Sequence, residues 1–184
     1  MIFAHDTEVA LRSVVNLVNT VDPLDPEGGE QLATVADLDR FLDEEEFTGS
    51  RTHDAAELAA VRTLRSRLRG LWDATEDEAV ELVNALLREA HALPQLVKHD
   101  HWDWHLHATT PEAPLAERMG TEAAMAFVDV IRAQEGDRLR ICAAEDCGAV
   151  LIDLSKNRSK RYCDTGNCAN RAHVRAYRER KAAS

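Results

Sequence analysis

The chain has 184 residues, 45% of them hydrophobic, and a formal net charge of −11. That length can bury one substantial core with a smaller module appended, and no apolar run approaches the ~20 residues that span a bilayer, which reads as a soluble, cytoplasmic protein with no membrane role. The charge is unevenly divided: residues 138–184 carry eleven Lys/Arg against five Asp/Glu, or +6, and residues 1–137 carry eleven against twenty-eight, or −17. An acidic body with a basic end is the asymmetry expected when one module alone meets a polyanion; a solvated charged helix is the plainer alternative.

Leu11, Val14, Val15 and Val18 recur at helical spacing, predicting a first helix capped by Asp6 or Thr7 and ending near Thr20. The stretch Asp22 to Glu30, with two Pro and two Gly, reads as a loop. Thr34-x-x-Asp37 and Thr75-x-x-Glu78 have the form of capping boxes and open the second and fourth helices. The third, about Asp54 to Trp72, aligns Leu58, Val61, Leu64, Leu68, Leu71 and Trp72, with Arg62, Arg65, Arg67 and Arg69 off that stripe. Val80, Val83, Leu86, Leu87 and Ala90 supply the fourth helix's core face.

After Pro94 the period changes to two. Trp102, Trp104 and Leu106 alternate with Asp103, His105 and His107, predicting a strand paired with Gln95 to Lys98 across a turn near His99 to His101. The apolar set is expected to face the core and the histidines to face water. The alternative is a second metal or ligand site built from His101, His105 and His107, with Asn16 and Asn19 of the first helix completing a pocket; helix capping is the ordinary role for those asparagines. A fifth helix, about Pro114 to Gln134, carries Leu115, Met119, Ala123, Ala126, Phe127, Val130 and Ile131 inward, and Gly136-Asp137 closes a first domain, residues 1–137.

All four cysteines lie beyond that point, as Cys142/Cys147 and Cys163/Cys168, each C-x4-C, with fifteen residues between the pairs. Four thiolates so spaced can close a tetrahedron around one structural Zn²⁺ and leave no open position for catalysis. Two disulfides or free thiols compete with this, but Met1 to Asp6 opens neither a charged segment nor a long apolar one of secretory type. Thiolate and zinc charges together leave the tail at about +4, still basic. Cys142 to Gly148 looks like a metal knuckle, Val150 to Asp153 and Arg161 to Cys163 form a plausible hairpin around Ser155 to Arg158, and Cys168 starts a last helix to about Lys181. The whole reads as α+β: a mainly helical domain with a small β-hairpin, then a treble-clef-like finger over residues 138–184.

Cys142-x4-Cys147, Leu151 to Asn157, Arg161-Tyr162-Cys163 and Cys168-Ala169-Asn170-Arg171 resemble the CGNR zinc finger. Val15 to Asp22 and Trp104-His105-Leu106-His107 resemble the ABATE domain that accompanies it in bacterial stress-response transcription regulators. The resemblance implies a DNA-binding regulator with an N-terminal ligand-sensing or scaffold domain. One departure is Ala169, where the family has Gly: costly if that position needs a left-handed backbone, favourable in the first turn of a helix.

The residues point the same way. Arg171, Arg175 and Arg178 share one face of the last helix, with Val174 and Tyr177 on another stripe expected to pack on the finger's hairpin. Lys156, Arg158, Lys160 and Arg161 add a basic edge, and Asn170 sits beside Arg171. Guanidinium forks suit phosphates and the guanine edge. No G-x-S-x-G, H-E-x-x-H or phosphate-loop pattern occurs, so an enzyme is not expected. The runner-up is a zinc-stabilised module docking on an acidic protein; a small-molecule effector and a homodimer are the other partners considered.

Overall fold

Five helices and a short hairpin precede a second hairpin and a terminal helix in the computed structural model, which describes residues 2–21, 29–98 and 103–182. The helices α1 (His5–Val18), α2 (Val35–Glu44), α3 (Ala55–Arg69), α4 (Glu76–Glu89) and α5 (Leu115–Arg132) form the body. Both capping boxes form: Thr34 accepts from the Asp37 N–H at 3.3 Å while Asp37 accepts from the Thr34 N–H at 2.8 Å, and Thr75 and Glu78 repeat the exchange. α1 departs from expectation. Its N-cap is Ala4, without a side-chain cap, and Thr7 lies inside the helix, where its hydroxyl donates to Asp129 of α5 at 2.6 Å.

Leu11, Leu17, Leu38, Val61, Leu68, Val83, Ala123, Phe127 and Val130 fill the core. Gly120 of α5 permits the close approach of three helices, because a Cβ there would stand 3.1 Å from Leu64 and 3.5 Å from Leu86. Arg65, placed off the apolar stripe by spacing alone, is buried. Its guanidinium forks onto Glu30 at 2.7 and 2.6 Å and donates to Thr20 at 2.9 Å, tying residues 20 and 30 together around the predicted Asp22 to Glu30 loop, most of which lies outside the described residues. Burying an arginine is tolerable because it is paired and bonded in this way.

β1 (Gln95–Val97) and β2 (His105–His107) pair antiparallel, with Leu96 opposite Leu106. The faces are the reverse of those expected. Trp104 is 67% exposed, Leu96 65% and Leu106 42%, whereas His105 and His107 are half-buried; Trp102 and the turn at His99 to His101 lie outside the described residues. Alternation identifies which residues share a face, not which face meets the core.

β3 (Leu139–Ile141) and β4 (Val150–Ile152) form the second hairpin, and α6 (Cys168–Ala182) ends the described chain. β4 therefore pairs with the strand before the first knuckle, not with Arg161 to Cys163. Val150 and Ile152 join the same buried core as the body helices. No helix of the described residues is long and apolar enough to cross a membrane.

Candidate metal centre and nucleic-acid interface

The first knuckle is the connection within the β3–β4 hairpin. The Cys142 N–H donates to the Ala149 carbonyl at 2.8 Å and the Cys147 N–H to Ala144 at 3.1 Å, turning both thiols to one side. The Ala143 N–H donates to Arg161 at 2.8 Å, and the Cys163 N–H points at the Cys142 sulfur from 3.4 Å, bringing the second pair alongside. Cys168 opens α6, so the amide end of that helix faces the cluster.

The four sulfurs lie within 4.8 Å of one another, and Cys147–Cys163 and Cys163–Cys168 are each 3.7 Å apart. A tetrahedron with metal–sulfur bonds of about 2.3 Å has edges of about 3.8 Å, so the spacing fits one structural Zn²⁺. It does not fit disulfides, whose sulfurs are about 2.05 Å apart; all four cysteines are free.

Side-chain donors reach two of the four sulfurs. Arg171 donates to the Cys168 sulfur at 3.1 Å and to Asp146 at 2.7 Å, and the Thr165 hydroxyl approaches Cys163 at 3.4 Å. Burial alone would raise the Cys163 thiol, but bonds from Thr165, the Gly166 N–H and the neighbouring sulfurs bring it down to about 7; burial keeps Cys147 and Cys168 high. Gly166 leaves room for the sulfurs: a Cβ there would sit 2.9 Å from Cys168 and 3.7 Å from Cys163. Ala169 lies in the first turn of α6, where alanine favours the helix.

Asp153, fully buried, organises the segment between the knuckles. Its carboxylate accepts from the Ser155 hydroxyl at 2.5 Å, the Ser155 N–H at 2.9 Å, the Lys160 N–H at 2.9 Å and Arg140 at 3.0 Å. Burial would raise its pKa, yet these bonds hold it below the ordinary carboxylate range. Arg138, also buried, donates to the Asp153 and Ser155 carbonyls at 2.7 and 3.1 Å and pairs with Glu135 at 2.6 Å. Spacing alone singles out none of Asp153, Arg138, Thr165 or Gly166, since their partners come from chain reversals.

The basic residues separate into two groups. Arg158 pairs with Asp137 at 2.6 Å and Glu135 at 2.8 Å, Lys160 with Asp164 at 2.6 Å, and Arg171 serves the cluster. Lys156, Arg161, Asn170 and Arg178 stand exposed, as does Arg175, whose contact with Glu145 at 3.1 Å joins two solvent-exposed side chains. Cys168 is the one buried residue of α6. Val174 and Tyr177 do not pack on the hairpin: they are 41% and 60% exposed, because the side of α6 turned to the finger carries Arg171 and Arg175, which meet Asp146 and Glu145.

The residues considered for a pocket in the body are engaged separately. Asn16, exposed, donates to Glu45 at 2.7 Å. Asn19 donates to the Val150 carbonyl at 2.9 Å and accepts from the Val150 N–H at 2.8 Å, clamping α1 to β4, and the Trp72 indole donates to the Leu151 carbonyl at 2.9 Å. His105 and His107 meet each other, and His101 lies outside the described residues. A cavity between α1, α3 and α5, lined by Ser13, Phe47 and Glu122 among others, holds about 20 Å³, room for roughly one water.

Residues 11–134 match the ABATE family, described as "Putative stress-induced transcription regulator", and residues 138–181 match the CGNR zinc finger. No curated protein matches the chain. The ABATE match spans more than half of the sequence, and the chain belongs to that family, with a CGNR zinc finger at its C-terminal end.

Proposed function

We propose that this ABATE-family protein is a cytoplasmic transcription regulator, not an enzyme, that binds duplex DNA through its zinc finger. The observation that carries the reading is α6: it leaves the cysteine cluster with Cys168 alone buried and presents Arg175 and Arg178 to solvent. A helix stripped of core contacts on most of its surface, at the one basic end of an acidic chain, suits a polyanion. Cys142, Cys147, Cys163 and Cys168 would hold the Zn²⁺, which would crosslink the two cysteine pairs, and Arg171 and Thr165 steady the sulfurs. Lys156, Arg161, Asn170, Arg175 and Arg178 are the contact set, while Arg158 and Lys160 shape the backbone through ion pairs. The −17 body repels DNA from every face but the finger.

The exposed Val174 and Tyr177 favour a second reading, in which α6 docks on an acidic protein. Salt titration separates the two. Affinity of the zinc-loaded chain for duplex DNA should fall steeply with salt, and Arg178→Ala should lower the log–log slope by about one. Absence of duplex binding by zinc-loaded protein at low salt would overturn the DNA reading.

A further inference from the structure

We infer that the β1–β2 hairpin is a homodimer surface, its apolar face packing on the same face of a second copy of this chain. This holds whether or not α6 binds DNA. An antiparallel sheet with one face in water ordinarily turns its polar side chains outward and its apolar ones toward a core. This hairpin does the opposite. Leu96 and Leu106 stand opposite each other, and Trp104, two positions before Leu106, follows on the same face. The three are 65%, 42% and 67% exposed, while His105 and His107 on the other face are half-buried.

The area fits a dimer. At those exposures the three side chains leave about 350 Å² of apolar surface in water per copy, or about 700 Å² for two copies. Homodimer contacts are about 65% apolar, which sets the whole contact at about 1,100 Å², just above the ~1,000 Å² that a specific interface needs. A contact of that size gives a weak, reversible dimer.

Charge selects a second copy over other partners. The charged side chains beside the face, Lys98 and Asp103, pair with each other at 2.7 Å and cancel, so nothing there draws a basic or an acidic protein. Nucleic acid and anionic membranes are repelled by the −17 body to which the hairpin belongs. A face related to its copy by a two-fold axis need only be complementary to itself, and an apolar, charge-balanced patch meets that condition.

The test follows untagged, zinc-loaded full-length protein by sedimentation velocity from about 1 to 100 µM. We expect a monomer–dimer equilibrium that tightens as salt is raised, because screening relieves the repulsion between two −17 bodies and leaves the apolar contact intact. Leu96→Lys and Trp104→Lys alter side chains that face water in the monomer. Zinc content and helical circular dichroism should therefore hold while the dimer weakens by roughly tenfold or more. Val174→Lys and Tyr177→Lys, on exposed α6, should leave the dimer unchanged. A wild type that stays monomeric throughout, a dimer that survives both hairpin substitutions, a dimer that dissociates as salt rises, or a monomer whose Trp104 face binds phosphatidylcholine vesicles instead would overturn the inference.

Discussion

Replacing Asn19 with alanine tests whether the motif asparagine at the end of α1 is a clamp or part of a ligand pocket. The bonds from Cys142 N–H to Ala149 and from Asp153 N–H to Arg138 put the hairpin ladder on alternate residues of β4, leaving the amide and carbonyl of Val150 on its outer edge. Val150 is fully buried, and both its groups are satisfied by the Asn19 carboxamide, at 2.8 and 2.9 Å. Truncation strands one donor and one acceptor, each costing about 1–3 kcal/mol; Asn19 itself is part-exposed and water can reach one of them, so the total should be about 2–3 kcal/mol. For a chain of this length that lowers the melting temperature by about 5–10 °C. Asn19→Asp should be as damaging, since its second oxygen faces a carbonyl. Asn16→Ala removes an exposed bond to Glu45 and should stay within about 0.5 kcal/mol of wild type. Calorimetric scans of the zinc-loaded proteins decide the matter: equal, small shifts for Asn16→Ala and Asn19→Ala would refute the clamp.

Gly166→Ala should weaken zinc retention against a competing chelator, because its Cβ would sit 2.9 Å from the Cys168 sulfur; retention equal to wild type would show that the loop yields freely. Burial raises the Glu122 pKa to about 7 against an opposing pull from Arg118. The folded state thus holds a proton that the unfolded chain releases near 4.5, so stability falls as pH rises through the window from 4.5 to about 7. Glu122→Gln should therefore gain on wild type between pH 5 and 8 in denaturant titrations, and a pH-independent difference would refute the burial cost. Removing zinc should alter the emission of Trp72, bonded to Leu151 of β4, and the change should be missing in Trp72→Phe.

What the sequence disclosed is what local rules govern. Thr34 with Asp37 and Thr75 with Glu78 place helix starts because the bonds close within four residues. The cysteine pairs announce their shared site because few other uses suit four thiols so spaced. Pairing of β4 was not legible, since Leu139 to Ile141 and Arg161 to Cys163 are both short, both adjacent to a cysteine, and topology alone decides between them. Arg65 looked like a surface residue until Glu30 and Thr20 were brought to it from 35 and 45 positions away. The exposed side of β2 escaped for a related reason: three-residue strands carry a period but no direction.

The clamp also bears on how the body and the finger are joined. A finger on a free linker would be indifferent to the body. Here β4 is held to α1 by Asn19, to the Gly70–Trp72 turn by Trp72, and to the core by Val150 and Ile152, and Trp72 packs edge-on against Phe127 of α5 at 5.8 Å. The same strand runs into Asp153, whose bonds shape the segment leading to the second cysteine pair and α6. A shift of α1 against α5 would therefore have to move β4 or break its clamps, and β4 leads through Asp153 toward the cysteine cluster. Coupling would require a physical element joined to both ends, and β4 is a strand joined to both in this fold.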